Sequence, residues 1–358
     1  MKNWKRQIVA TAAAVLLGLG LVGCGAAKSE STAASSAESS AEESGSESTA
    51  AASAAESKTD ADTALRVGAL KGPTAMGLVN LMQDSQDGKS EGKYEFSIAS
   101  QPDEVASKLV SGELDIALLP ANMASALYNK TEGKIAVVNI NTLGVLYCVS
   151  GDTSIQSVQD LAGKTVYTTG QGATPEYVLR YLLAENGVTD CTLEFKSEPT
   201  EIASLLAADA SAIAVLPQPF VTVAEAKNEQ LKTAFSLTEA WANLNNGSLL
   251  VTGVTVVRKD VLESRPAEVA TFIVEQERSA ATAVQDVEQT AARVVAFGIL
   301  ENEGIAKKEI PACNITAISG EEMKKALSGY LNVLFEADPK AVGGKLPDDA
   351  FYAVTEAK

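Results

Sequence analysis

The chain has no histidine. That removes the usual general base near neutral pH, the Ser-His-Asp arrangement of nucleophilic hydrolases and the commonest zinc ligand together. Cysteine is scarce too: Cys24, Cys148, Cys191 and Cys313 stand far apart with no Cys-x-x-Cys pair, so no metal site is expected. Apart from Cys24 the count is odd, which allows at most one disulfide and makes buried free thiols the expected state. Basic residues are in deficit, with 29 Lys and Arg against 46 Asp and Glu and a formal charge of −17. Nucleic acid and anionic lipid surfaces are poor partners for such a chain, although a cleft can carry a local potential opposed to the whole. A phosphate loop is missing as well: there is no Gly-Lys-Ser/Thr, and Lys71 precedes its glycine turn, so nucleotide hydrolysis and a bound cofactor are not expected.

Hydrophobic runs are also few. The first follows Lys2, Lys5 and Arg6, spans Ile8 to Leu19, and is too short and glycine-interrupted to cross a bilayer as a stable helix. It reads as a secretion signal ending in Leu21-Val-Gly-Cys24, a lipobox whose Cys24 thiol accepts the diacylglyceryl group; a plain signal peptide with a chance cysteine is the alternative. Two acyl chains suffice for lasting anchorage where one is marginal. Residues 25–62 contain no aromatic residue, Val, Ile or Leu and cannot bury enough surface to fold. As a flexible tether they span roughly 30 to 35 Å root-mean-square.

What is present from Thr63 onward is a duplication around Asn139-Ile-Asn-Thr-Leu-Gly-Val-Leu-Tyr-Cys148. Before it stand Pro102-Asp-Glu-Val-Ala-Ser-Lys-Leu109 and Ile116-Ala-Leu-Leu-Pro120; after it stand Pro199-Thr-Glu-Ile-Ala-Ser-Leu-Leu206 and Ile213-Ala-Val-Leu-Pro217. Upstream, Leu65–Leu70 runs into Gly72-Pro-Thr74 as Lys164 and the residues after it run into Gly172-Ala-Thr174. Each copy reads strand, Gly-x-Thr turn, helix, strand, helix, strand ending in Pro. Two copies are too few for a solenoid and indicate two domains. Alternating strands and helices imply mostly parallel sheets, whose ligands bind beyond the strands' carboxyl ends. The expected architecture is α/β with two lobes: residues 63–142 plus 249–358, and residues 143–248. Asn139–Cys148 and Leu249–Val257 are the crossover strands, with Gly144 and Gly253 as hinge residues.

The four turns at the strand ends supply the candidate ligand contacts. From the first lobe these are Lys71, Gly72, Pro73, Thr74 and Asn122; from the crossover, Asn141 and Thr142; from the second lobe, Gln171, Gly172, Ala173, Thr174, Gln218 and Phe220. Glycines and Thr at a helix start leave backbone N–H groups free for an acceptor, with Lys71 adding charge. Any one turn alone is more economically an ordinary turn; four in matching places favour a cleft. Asn122 fits a helix cap as well as a ligand contact, Phe220 fits the core as well as the cleft, and Glu176 is read as complementing a helix over Tyr177–Asn186 rather than as an acid catalyst. Pro266–Leu300 is read as two helices parting near Asp286, with Phe272, Ile273, Val294 and Val295 facing the core. Residues 310–358 are expected on the outside of the first lobe.

Several segments together resemble solute-binding lipoproteins of ABC importers, of the nitrate/sulfonate/taurine type that includes thiamine-precursor pyrimidine binders. They are Lys71-Gly-Pro-Thr, Gly112-Glu-Leu-Asp-Ile116, Asn141-Thr-Leu-Gly-Val-Leu-Tyr147, Asp160-Leu-Ala-Gly-Lys-Thr165, Gly172-Ala-Thr-Pro-Glu-Tyr177 and Gly343-Gly-Lys-Leu-Pro-Asp348, with the lipobox and tether. The resemblance covers Leu65 to the C-terminus and implies a type II periplasmic-binding-protein fold, closure of the hinge on a small solute, and delivery to a permease driven by its ATPase. It implies a monomer, not an enzyme, on the outer face of a bacterial membrane with no contact to the membrane beyond the lipid anchor. The rim turns contain no arginine to clamp a sulfonate. An extracytoplasmic enzyme related to pyrimidine-forming members, and a sensor passing its closed form to a signalling protein, are the alternatives. The anchor is tested directly: Cys24→Ser is expected to leave a precursor that takes up no fatty-acid label, and labelling that persists in that variant rejects the lipobox.

Overall fold

A computed structural model describes residues 63–171 and 173–354; Cys24 with its lipobox, the tether 25–62 and Gly172 lie outside the described residues. The first repeat is laid down as β1 (Leu65–Leu70), α1 (Pro73–Met76), α2 (Val79–Gln86), β2 (Tyr94–Ala99), α3 (Pro102–Ser111), β3 (Ile116–Pro120), α4 (Ala121–Lys130) and β4 (Ile135–Leu143). The second follows as β5 (Leu146–Ser150), β6 (Thr165–Thr168), α5 (Thr174–Glu185), β7 (Thr192–Phe195), α6 (Pro199–Ala208), β8 (Ile213–Pro217), α7 (Phe220–Lys227), β9 (Lys232–Ser236) and α8 (Leu237–Ala242). The chain returns through β10 (Val251–Arg258), α9 (Lys259–Ser264), α10 (Pro266–Gln285), α11 (Val287–Ala296), α12 (Glu303–Glu309), β11 (Ile315–Ile318) and α13 (Gly320–Ala337).

Local chemistry explains the repeated helices. Pro102 and Pro199 open α3 and α6 where a missing N–H costs nothing, and acidic residues occupy the first turn of each. Gly112 then ends α3 at φ 81°, a conformation that a side chain disfavours.

The strands form two sheets, one ordered β11-β4-β10-β3-β1-β2 and the other β7-β6-β8-β5-β9. In each, the three repeat strands are parallel and the next strand is antiparallel: β10 beside β3, β5 beside β8. The registers agree to the residue type, with Val67 opposite Ile116 in one sheet and Val166 opposite Ile213 in the other. The duplication read from the sequence is therefore a duplication of fold, α/β in two lobes.

Side chains alternate across both sheets, and the alternation separates three hydrophobic clusters. Ala117 and Leu119 of β3, Cys148 of β5 and Val215 of β8 face one side, where α3, α4, α5, α8 and α13 cover them in a single cluster that runs through both lobes. Ile116 and Leu118 face the other way, under α2, α10, α11 and α12. Tyr147, Val149, Ala214 and Leu216 face α6 and α7 in a third, separate cluster. One flank of the molecule is continuously cored; the other has two cores.

Three expectations are corrected. α13 does not stay on the outside of the first lobe: its apolar stripe Met323, Leu327, Tyr330 and Leu334 is buried, and the helix packs on α4 and β4 and also on α5 of the second lobe. The cause is aromatic, with Tyr330 5.8 Å from Trp241 of α8 and Trp241 4.7 Å from Tyr181 of α5. Helix α5 begins at Thr174 rather than Tyr177, because the extended Ala173 and Pro175 complete its first turn. Val295 is only half-buried, since Val294 takes the inward position. The break at Asp286 between α10 and α11 is as expected, the Asp286 side chain accepting from Gln289 N.

At the end of α12, Glu309 is fully buried and neither carboxylate oxygen has a hydrogen-bond partner among the described residues. Burial pushes its pKa up to about 7. A carboxyl raised in the folded state stabilises the fold while protonated; stability is full below its unfolded value and is lost as pH climbs through the folded value. Across that window the loss amounts to roughly 3 kcal/mol. Glu309→Gln is thus expected to match the wild type near pH 4.5 and to exceed it progressively up to pH 7.5 in thermal unfolding; a difference that does not change with pH rejects this account.

Candidate functional site

The carboxyl ends of the two sheets meet at a two-residue link. Gly253 of β10 is paired with Pro120 at the end of β3 and with Thr142 near the end of β4, while Leu146 is paired with Pro217 at the end of β8. Gly144 and Val145 join the two rows. Val145 O accepts from Gln218 N at 3.1 Å, so the second lobe's rim turn is bonded to the link itself. Gly144 O accepts from Thr238 Oγ1 at 2.8 Å and from Asn314 Nδ2 at 2.6 Å.

On the first lobe's rim, Lys71 is exposed and its N–H donates to Ala99 O at 2.8 Å. Gly72 adopts φ 126°, which admits Pro73 and the short α1. Thr74 is buried and donates its hydroxyl back to Leu70 O at 3.0 Å. A Cβ on Gly253 would lie 2.5 Å from Asn141 Oδ1 and 2.8 Å from Thr74 Cγ2, so Thr74, Asn141 and Gly253 form one packed group. Asn141 is buried, donating to Thr255 Oγ1 at 3.1 Å and accepting from Thr142 Oγ1 at 2.9 Å. The chain of bonds goes on through Gln276, whose Oε1 accepts from Asn139 Nδ2 at 2.8 Å. These amides hold β4, β10 and α10 in register. Asn122, with two roles open, is the second residue of α4 and half-buried; Pro120 takes the cap position and Asn122 caps nothing.

The second rim differs. Gln171 and Ala173 are exposed, and Thr174 is hydrogen-bonded to the buried Tyr330 hydroxyl of α13. Thr74 is satisfied within its own lobe; its counterpart Thr174 is satisfied by the C-terminal helix. Gln218 is buried, its Oε1 accepting from Thr222 Oγ1 at 3.0 Å, and Phe220 opens α7 half-buried against the second lobe's own core. Glu176 pairs with Arg180 at 2.7 Å within α5. Gly144 and Gly253 have ordinary φ; what excludes a side chain there is space, a Cβ on Gly144 lying 2.3 Å from Thr238 Oγ1.

Two contributors were missed from the sequence. Thr252 is the extra residue of a β-bulge, since Val251 pairs with Leu143 and Gly253 with Thr142; a glycine inside a strand run was the available signal. Tyr330 had no local signal, because its importance depends on α13 reaching the other lobe.

Gln218 also borders a crevice of about 710 Å³ between α7 and α12. A larger groove of about 860 Å³ runs along the outer face between α3 and α4, past Val110 and Met123, and includes no rim residue. Among the described residues no cluster of three or more Cys, Asp or Glu is placed to hold a metal, and no helix is long and apolar enough to cross a membrane. Burial pushes the Cys148 thiol up to about 12 and raises Cys313 further, which keeps both protonated and unreactive. All three described cysteines are free.

A family model described as menaquinone biosynthesis matches residues 65–335. Among solved structures, an ABC transporter from Parabacteroides distasonis is 27% identical with a TM-score of 0.69, over 81% of this chain and 99% of that one. The periplasmic aliphatic sulphonate binding protein SsuA of Escherichia coli is 15% identical at TM-score 0.62, over 82% and 94%. Protein AF1704 of Archaeoglobus fulgidus is 17% identical at 0.51, over 77% and 98%. The last two show a shared fold alone, and no curated protein matches the chain. The two-sheet arrangement is that of the type II periplasmic-binding proteins, and by the match over residues 65–335 the chain belongs to the menaquinone biosynthesis family.

Proposed function

We propose that this protein is a lipid-anchored, extracytoplasmic solute-binding protein of the nitrate/sulfonate/taurine type, which closes two lobes on a small solute and presents it to an ABC permease and its ATPase. Cys24 carries the anchor, residues 63–142 with 249–358 and residues 143–248 are the lobes, and the working form is a monomer. The observation that carries this reading is the set of helix starts at the link. α4 and α7 begin directly at the carboxyl ends of β3 and β8 with N-cap residues Pro120 and Pro219 that supply no side-chain cap, Thr222 N of α7 donating to Gln218 Oε1 at 3.4 Å and the earlier first-turn N–H groups lying ahead of it. First-turn N–H groups and the helix dipole favour an acceptor-rich or anionic group there. Lys71, Thr74, Asn122, Gln171, Thr174 and Gln218 are the side chains that would select it. The Parabacteroides transporter supports the transport reading, being the relative with the highest identity among those described.

A second reading, an enzyme on the same fold, is favoured by the family match and by the continuous core joining the lobes. Against it stand the absence of histidine and the location of Glu309, the one strongly raised carboxyl among the described residues, within α12 rather than on a rim turn.

A thermal-shift screen over sulfonates, nitrate, pyrimidines and flavins, followed by calorimetry on a hit, separates the two. Thr74→Val and Thr174→Val are each expected to cost about 1 to 3 kcal/mol of binding. The radius of gyration should fall on saturation, and a spin-label pair at Asn122 and Gln218 should shorten. A tight solute whose affinity survives both changes, with neither distance measure moving and with product detected by mass spectrometry, would replace transport by catalysis.

A further inference from the structure

The two flanks of the lobe boundary are built differently. On one, α5 and α8 of the second lobe are packed onto α13: Tyr177 Oη donates to Asp338 Oδ2 at 2.9 Å, Thr174 meets the Tyr330 hydroxyl, and the Tyr181, Trp241 and Tyr330 rings lie in series inside a cluster that spans both sheets. On the other flank the first-lobe and second-lobe cores form separate clusters that touch where Ala312 packs on the second-lobe core and its O accepts from Tyr147 Oη at 2.6 Å, and the crevice of about 710 Å³ opens from there between α7 and α12. Its walls carry opposite charge. Glu225, which accepts from Thr233 Oγ1 at 2.9 Å, and Glu229 line the second-lobe wall together with Lys232, and Lys307 and Lys308 of α12 line the other wall. Lys307 is already engaged by Glu288 and by Glu303 at 3.0 Å. Glu229 and Lys308 are exposed and form no ion pair among the described residues.

We propose that the α7–α12 crevice is the mouth that narrows when the lobes close, that the α5/α8/α13 seam is the pivot, and that Glu229 and Glu225 meeting Lys308 and Lys307 form the latch. The inference rests on the two-lobed closing reading of the protein. A tightly packed interface resists sliding, because its side chains interdigitate, whereas a crevice joined by one small contact at Ala312 can change volume at its open end with that contact kept. Opposite charges approaching within a few ångströms attract more strongly as solvent leaves the gap, and at low ionic strength the attraction begins before contact. Rim pairs of this kind bias a population rather than lock it.

The test needs no solute, so a failure to find one would count against transport without touching the latch. Nitroxides are attached to the full chain through ketone-bearing residues at Lys227 and Glu301, across the crevice, and in a second sample at Glu185 and Asn332, across the seam. At low salt, Lys308→Glu and Glu229→Lys are each expected to shift the crevice distances to longer values, as 1 M salt does for the wild type. The double exchange Lys308→Glu/Glu229→Lys is expected to restore the short population, a recovery that a purely structural role for either residue would not produce. The seam distances should stay fixed throughout. If the single reversals leave the crevice distances unmoved, the double exchange fails to restore them, or the seam distances move in step, the latch and its pivot are wrong.

Discussion

The backbone of Gly144 and Val145 is the constraint on which the candidate site depends. Two residues carry the chain from one sheet to the other, and their carbonyls accept from Gln218 N, Thr238 Oγ1 and Asn314 Nδ2. Donors thus come from the second lobe's rim, from α8 and from the segment before β11. Because a strand's carboxyl end must lie beside this link in both lobes, the helices that follow β3 and β8 start next to it. Helix starts from two separate sheets are thereby brought to one place.

Packing then limits what that place can do. The amides of Asn139, Asn141 and Gln276 and the hydroxyl of Thr255 are buried and bonded among themselves. Asn139 Oδ1 is buried without a partner among the described residues, but the remaining bonds of the network fix one register of β4 against β10 and α10. Gly253 belongs to the same device, since the Asn141 amide occupies the volume a side chain would need. The first lobe's half of the candidate site is held in one register for this reason. The second half takes its support from α13, through Tyr330 and Asp338, so the two rims are held by different parts of the chain.

Much of this was legible in the residues. The paired Pro-to-Pro segments gave strand and helix positions in both repeats, because Pro at a helix start and apolar alternation in a strand are local signals. The Gly-x-Thr turns were legible for the same reason. Asn141 and Thr142 were legible as polar residues at the crossover, but their burial was not, since Thr255 and Gln276 lie far along the chain. Tyr330 was hidden in a helix whose stripe says only that one face is covered. Which lobe covers it is decided by Trp241 and Tyr181, and no spacing rule relates residues so distant. The difference between Thr74 and Thr174, alike in sequence, is of the same long-range kind.

The position of β10 has a consequence in time. It lies between β3 and β4 and is antiparallel to both, yet it is made only after all of β5 to β9. Until residues 251–258 exist, β3 and β4 cannot reach their places in one sheet, and each presents an unpaired edge. The second lobe's strands are consecutive and meet no such delay. The first lobe is therefore the last to finish although it is the first to be synthesised, and its sheet depends on pairings of high sequence separation, which form slowly. Late completion leaves β3 and β4 of the amino-terminal lobe without their shared partner for as long as the whole second lobe takes to be made.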